Sequence, residues 1–174
     1  MSCGREKLGS MRYQNEAPDQ PEQIMNKTVL ICLVLLVPGQ ARADSLPLNP
    51  AVTPETINQT ICVHGWTNSV RPPVSRTSAV KRRMMVKIGV PPEGEPDITL
   101  DHCIPLALGG APDDPQNFML QPDDESKDKD RVEVCLARTV CAGRIDLASA
   151  QMAIWLNWKT AGRLCSGYKV MGDD

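Results

Sequence analysis

Asp101-His102-Cys103-Ile104-Pro105-Leu106-Ala107-Leu108-Gly109-Gly110, with Gln116-Asn117-Phe118 shortly after it, is the stretch on which the fold turns. Ile98 to Cys103 alternates as a strand does, Gly109-Gly110 permits a sharp turn, and Asn117 to Gln121 returns as a second short strand. The segment sets a carboxylate, an imidazole and a carboxamide around one turn, groups that together suit a hard cation and an activated water. The chain has only 2 histidines, so a general base working near neutral pH is His102 or His64, unless a carboxylate is tuned to the task. His102 has the better neighbours, since His64 stands in a loop beside Cys62 and Trp66. Successive residues on a regular strand face opposite ways, so Asp101 and His102 share a site only where the strand is ending. Pro105 and the glycine pair supply such an ending.

Downstream, Ser126 to Val140 has the spacing of a helix with Val132, Leu136 and Val140 inward and Lys127, Lys129, Asp130 and Glu133 toward solvent or the site. Asp146 is a good cap for a last helix from Leu147 to about Gly162, with Leu147, Ala150 or Gln151, Ile154, Trp158 and Ala161 on one face. Upstream, Ser75 to Lys87 is a further helix, capped by Thr77 or Ser78, with Val80, Met84 and Met85 inward and Gly89 ending it. Gly65 to Pro73 reads as a proline-restricted loop, Thr56 to Val63 as a strand or extended segment, and Val90 to Asp97 as irregular. The fold class expected is α+β.

Met25-Asn26-Lys27, the uncharged run Thr28 to Val37, Pro38-Gly39 and Ala41-Arg42-Ala43 have the order of a secretory signal peptide cleaved before Asp44. The apolar run is too short for a spanning helix, which needs roughly 20 residues. The expected organisation is an unstructured upstream segment (1–24), a leader (25–43), a flexible arm (44–55), one domain (56–165) and a tail (166–174), exported to the periplasm or beyond as a monomer with no membrane contact. From residue 44 onward 14 Lys and Arg face 17 Asp and Glu, a net charge of −3 that excludes a general polyanion binder. Nucleic-acid contact would need a local patch, and Arg71 to Lys87 is the acid-free basic stretch, with Arg82 and Arg83 at its centre. Five cysteines remain after the leader (Cys62, Cys103, Cys135, Cys141 and Cys165), enough for two disulfides and one leftover thiol. Cys135 and Cys141 point to different sides of a helix and should not pair with each other. No Cys-x-x-Cys pair suggests structural zinc.

Leu100 to Gly110, then Asn117-Phe118, then Lys129-Asp130 and Glu133, resembles the HNH endonucleases, and in particular small exported bacterial members with an Asp-His-x-Ile-Pro-Leu-x-Leu-Gly-Gly run and a Lys-Asp-x-x-Glu stretch. Ile61-Cys62 and Arg71-Pro72-Pro73 are also similar to what precedes the motif in that group. The resemblance implies a ββα-metal core with flanking helices, hydrolysing nucleic acid, DNA above all, with little sequence preference and leaving 5′-phosphate ends. It implies Mg²⁺ or Mn²⁺ held by Asp101, His102 as the base, and Asn117 either bracing the histidine loop or reaching the ion.

Many members add a histidine or asparagine ligand from the start of the helix, and residues 123–130 contain neither. Asp124, Asp128 or Asp130 is left as the oxygen donor, with Asp130 taken as the candidate, while Lys127 or Lys129 is the expected phosphate contact. That departure keeps a second possibility in play, a non-catalytic binding module on the same scaffold.

Overall fold

A computed structural model describes Cys3 and residues 45–165. The expectations for the upstream segment, the leader and the tail lie outside the described residues, Cys3 excepted. In chain order come a short helix α1 (Trp66–Val70), helix α2 (Val74–Lys87), strands β1 (Ile98–His102) and β2 (Phe118–Pro122), helix α3 (Asp123–Cys141) and helix α4 (Leu147–Ala161). The two strands pair antiparallel, from Ile98 opposite Pro122 to His102 opposite Phe118. The class is α+β, and β2 runs straight into α3.

Packing of α3 on α4 makes the core. Val132, Leu136 and Val140 recur at the helical spacing and are buried, as are Leu147, Ala150, Gln151, Ile154, Trp158 and Ala161 across from them. Asp146 caps α4, its Oδ1 accepting from Ser149 N at 2.8 Å. Ile104 and Leu108, both fully buried in the loop after β1, join the same cluster. The loop carrying the candidate residues is therefore anchored in the core. Disulfides Cys62–Cys141 and Cys135–Cys165 tie α3 to the segments before α1 and after α4. Residues 45–165 thus hold two disulfides and one leftover cysteine, as expected, and the leftover Cys103 is joined to Cys3 of the upstream segment.

Several local expectations are corrected. The arm is docked: Asn49 N donates to Gly109 O at 2.8 Å, Ala111 N to Pro47 O at 2.9 Å, and Leu48 bridges Gly110. Val52 buries against Gly109, whose φ of 76° and lack of a side chain both matter, because a Cβ there would lie 2.6 Å from Val52 Cγ1. Leu46, Leu48 and Val52 give the arm its apolar face. Thr56 to Val63 forms turns around a 3₁₀ segment (Ile57–Gln59), with Thr60 Oγ1 bonded to Thr56 O at 2.8 Å. Gly65 to Val70 is not all loop, since the prolines lie beyond the end of α1 and force only Arg71 into extended backbone. Helix α2 starts at Val74 after Pro73, without a Thr77 or Ser78 cap. Pro92–Asp97 is a 3₁₀ turn.

Candidate active site

Asn117 holds the loop between the strands. Fully buried, it accepts at Oδ1 from Ile104 N (2.8 Å) and donates from Nδ2 to Ile104 O (3.0 Å) and Ala111 O (2.9 Å). Cys103 N adds a bond to its backbone carbonyl at 2.7 Å. Gly110 is required here, because a Cβ would collide with the Ile104 carbonyl and stand 2.7 Å from Asn117 Nδ2. Of the two roles considered, Asn117 takes the brace. An enclosed amide turned onto the loop backbone is not placed to ligate an ion.

His102 ends β1 and is 8 % exposed, its ring centroid 5.0 Å from that of Phe118. Nε2 lies 3.0 Å from Pro112 O. A carbonyl oxygen only accepts, so Nε2 carries the hydrogen and the neutral ring keeps its lone pair on Nδ1. Burial lowers the imidazole pKa below its usual 6.5, against an upward pull from the Pro112 bond and from Asp101; the charges of Arg71 and Lys129 press it down further. His102 is therefore neutral at pH 7 and competent as a base.

Asp101 is turned to the α3 side of the hairpin. Its Oδ1 accepts from His102 N at 2.7 Å, and its Oδ2 from Gln121 Nε2 at 2.7 Å and Lys129 Nζ at 2.9 Å. Lys129 Nζ also donates to His102 O at 2.7 Å and to the Glu133 carboxylate one helical turn on. With 0 % of its side chain exposed and all three ammonium protons taken, Lys129 cannot contact a phosphate, and that expectation is withdrawn. The ammonium pins both the Asp101 carboxylate and the backbone of His102, so one buried cation fixes the end of β1.

Three carboxylates share this cation. Burial, with the charges of Asp101 and Asp130, raises the Glu133 pKa to about 7 in spite of Lys129. Asp130 is raised by desolvation and then by Asp101, with Lys129 and Arg71 opposing. Of the helix carboxylates considered, Asp130 is thus the one that shares the field of Asp101, whereas Asp128 pairs with Arg131 at 2.7 Å and Asp124 Oδ1 accepts from Glu125 N at 2.9 Å. Gln121 Oε1 is buried beside Asp101 without a hydrogen-bond partner.

No cluster of three or more His, Cys, Asp or Glu side chains converges on a metal position among the described residues. Mg²⁺ and Mn²⁺ do not demand one, since Mg²⁺ typically keeps several waters and takes one or two carboxylates plus substrate phosphates. Asp101 and Asp130, which share one electrostatic field, are the oxygen donors a hydrated ion would use, Asp101 Oδ2 in competition with the Lys129 ammonium it already accepts from; Asn117 is turned away.

The remaining candidates stand apart. Lys127 is exposed and bonded to Asp123 at 2.6 Å, and Arg82 and Arg83 are exposed on α2, Arg83 on its side toward the hairpin. His64 is exposed in the turn before α1. Gln121 is not singled out by the sequence, Arg71 is marked there only as the start of the basic stretch and of the Arg-Pro-Pro element, and Glu133 only by its motif and its place on the solvent or site side of the helix. An i, i+4 Lys-Glu pair on an otherwise polar helix reads equally well as surface, and nothing in spacing says which strand residue a glutamine will reach. Comparison with family models, curated proteins and solved structures finds no match to this chain.

Proposed function

We propose that this protein is a metal-dependent HNH-type endonuclease that hydrolyses phosphodiester bonds in nucleic acid, DNA in the first place, on a ββα-metal core formed by β1, β2 and α3. The observation that carries the proposal is His102, neutral at pH 7 with Nε2–H held by Pro112 and Nδ1 left to take a proton. In the reaction Nδ1 removes a proton from the attacking water, and the nearby Asp101 charge stabilises the imidazolium that results. Asp101 and Asp130 would hold Mg²⁺ or Mn²⁺, which polarises the phosphoryl oxygens when bound. Arg71, exposed and within electrostatic range of both His102 and Asp130, supplies positive charge for a phosphate at the mouth of the site, with Arg82 and Arg83 extending the basic surface along α2. The two disulfides within residues 45–165 suit an oxidising compartment, and export as a monomer belongs to the same proposal; no helix among the described residues is long and apolar enough to cross a membrane.

The test is nicking of supercoiled plasmid by the full chain in Mg²⁺ or Mn²⁺. Nicking should stop with chelator and fall by roughly 10²–10⁴ in His102→Ala, the usual contribution of general base catalysis. No nicking in either metal, or nicking that His102→Ala leaves unchanged, rules the enzyme out. A non-catalytic nucleic-acid-binding module is favoured by one specific feature, the Lys129 ammonium already bonded to Asp101. That alternative is supported by DNA binding that persists in chelator together with no Mn²⁺ binding that depends on Asp101.

A further inference from the structure

Between α2 and the hairpin opens a cavity of about 730 Å³. Val80 and Met84 of α2 and Ile88 just beyond its end face Phe118, Met119 and Leu120 of β2 across it, and Arg83 and Lys87 stand around it. Cys103, only 3 % exposed, lies in its wall. Cys3 Sγ is bonded to Cys103 and sits 3.4 Å from Met119 Sδ, so a residue 100 positions away in sequence lines the groove. Within residues 45–165 the other four cysteines pair among themselves, which leaves Cys103 with no partner in its own body.

We propose that this groove is the docking site for the chain's own N-terminal segment around Cys3, fastened there by the Cys3–Cys103 disulfide. Two features make the site specific for that occupant. The sulfur pair rests against a polarizable thioether, and Met84 and Met119, both unbranched and adaptable, line the hollow that receives it. The bond forms when a small disulfide oxidant such as oxidised glutathione exchanges with one of the two thiols and the second thiol displaces the glutathione. Two protein thiols are oxidised, one glutathione disulfide is reduced to two thiols, and no other reactant is needed.

Two consequences follow. Cutting the backbone before Asp44 leaves the segment attached, and only reduction as well releases it. A leader whose N-terminus stays behind while residues 45–165 cross a membrane separates the two sulfurs, so the bond marks chains whose two ends share a compartment.

Full-length protein oxidised in glutathione buffer and digested with trypsin without reduction should yield Met1–Arg5 joined to the 88–127 fragment that holds Cys103. In Cys3→Ser, maleimide in denaturant should label Cys103, which stays unlabelled in the parent chain. To separate docking from mere thiol reactivity, a Met1–Lys7 peptide activated at Cys3 as its thionitrobenzoate disulfide should react with Cys103 of the full-length Cys3→Ser chain at least ~10-fold faster than the corresponding glutathione disulfide. Adding Met84→Asp should abolish that preference. Labelling of Cys103 in the oxidised parent chain, linkage of Cys3 to Cys32, the cysteine in the apolar run of the leader, or equal rates for peptide and glutathione would each overturn the proposal.

Discussion

The hairpin presents two faces to two helices, and they are finished in opposite ways. Toward α3 it is closed by ions: Lys129 is buried between the half-buried carboxylates of Asp101 and Glu133, with every proton of the ammonium directed to an acceptor. Toward α2 it is left open, with a cavity walled by methionine, leucine and phenylalanine. Buried charge tolerates little rearrangement, because each ion is costly without its partner. A loosely filled apolar contact tolerates a great deal. The same strands are therefore held to one geometry on the side of the candidate chemistry and left adaptable on the other, where a further segment can be received.

The sharpest way to break this contrast is Lys129→Met, which strands two carboxylates in the interior and should cost about 3–5 kcal/mol in urea unfolding. Asn117→Ala comes next, since it leaves Ile104 N–H and two carbonyls unpaired in the loop, at about 1–3 kcal/mol. On the open face Met84→Ala, half-buried in the groove wall, should cost about 1 kcal/mol or less, because the space it leaves adjoins one that already exists. Equal losses for Lys129→Met and Met84→Ala would mean that the two faces do not differ as described.

A pH titration sharpens the same point with a smaller effect. Glu133 has a pKa of about 7 in the folded chain against 4.5 for a free side chain, so between those values the native state keeps a proton that the unfolded chain has released. Its contribution is complete below pH 4.5 and is lost as the pH rises through about 7. His102, with its pKa depressed, contributes in the opposite sense, losing stability as the pH falls below 6.5. Urea midpoints of the parent and of Glu133→Gln across pH 4–8 should differ most in slope between 4.5 and 7. Parallel curves would show that burial does not hold the Glu133 proton against the pull of Lys129.

Much of the scaffold was legible before any coordinates. Val132, Leu136 and Val140, and the stripe from Leu147 to Ala161, declare buried faces through spacing alone, and Asp146 declares its cap. Gly109 and Gly110 mark the turn, whereas Asn117 stays between brace and ligand until its hydrogen bonds decide for the brace. Lys129 was misjudged for a physical reason: a lysine among Asp, Glu and Arg has the composition of a solvated face, and only the arrival of Asp101 from β1 makes a buried ammonium stable. The docked arm was missed because its apolar residues are few and interrupted by proline. No local pattern could have revealed the α2 groove or the partner of Cys103, since both depend on segments far apart in the chain.

Activity at this site turns on the protonation of one ring. Nitrogen-15 NMR of the histidine-labelled full chain, with His102→Ala used to assign the signal, reads the tautomer and the titration of His102 directly. The structure requires a neutral ring at pH 7 with the proton on Nε2 and a midpoint below 6.5. A proton on Nδ1, or an imidazolium at pH 7, would contradict it, because His102 could then take no proton from water.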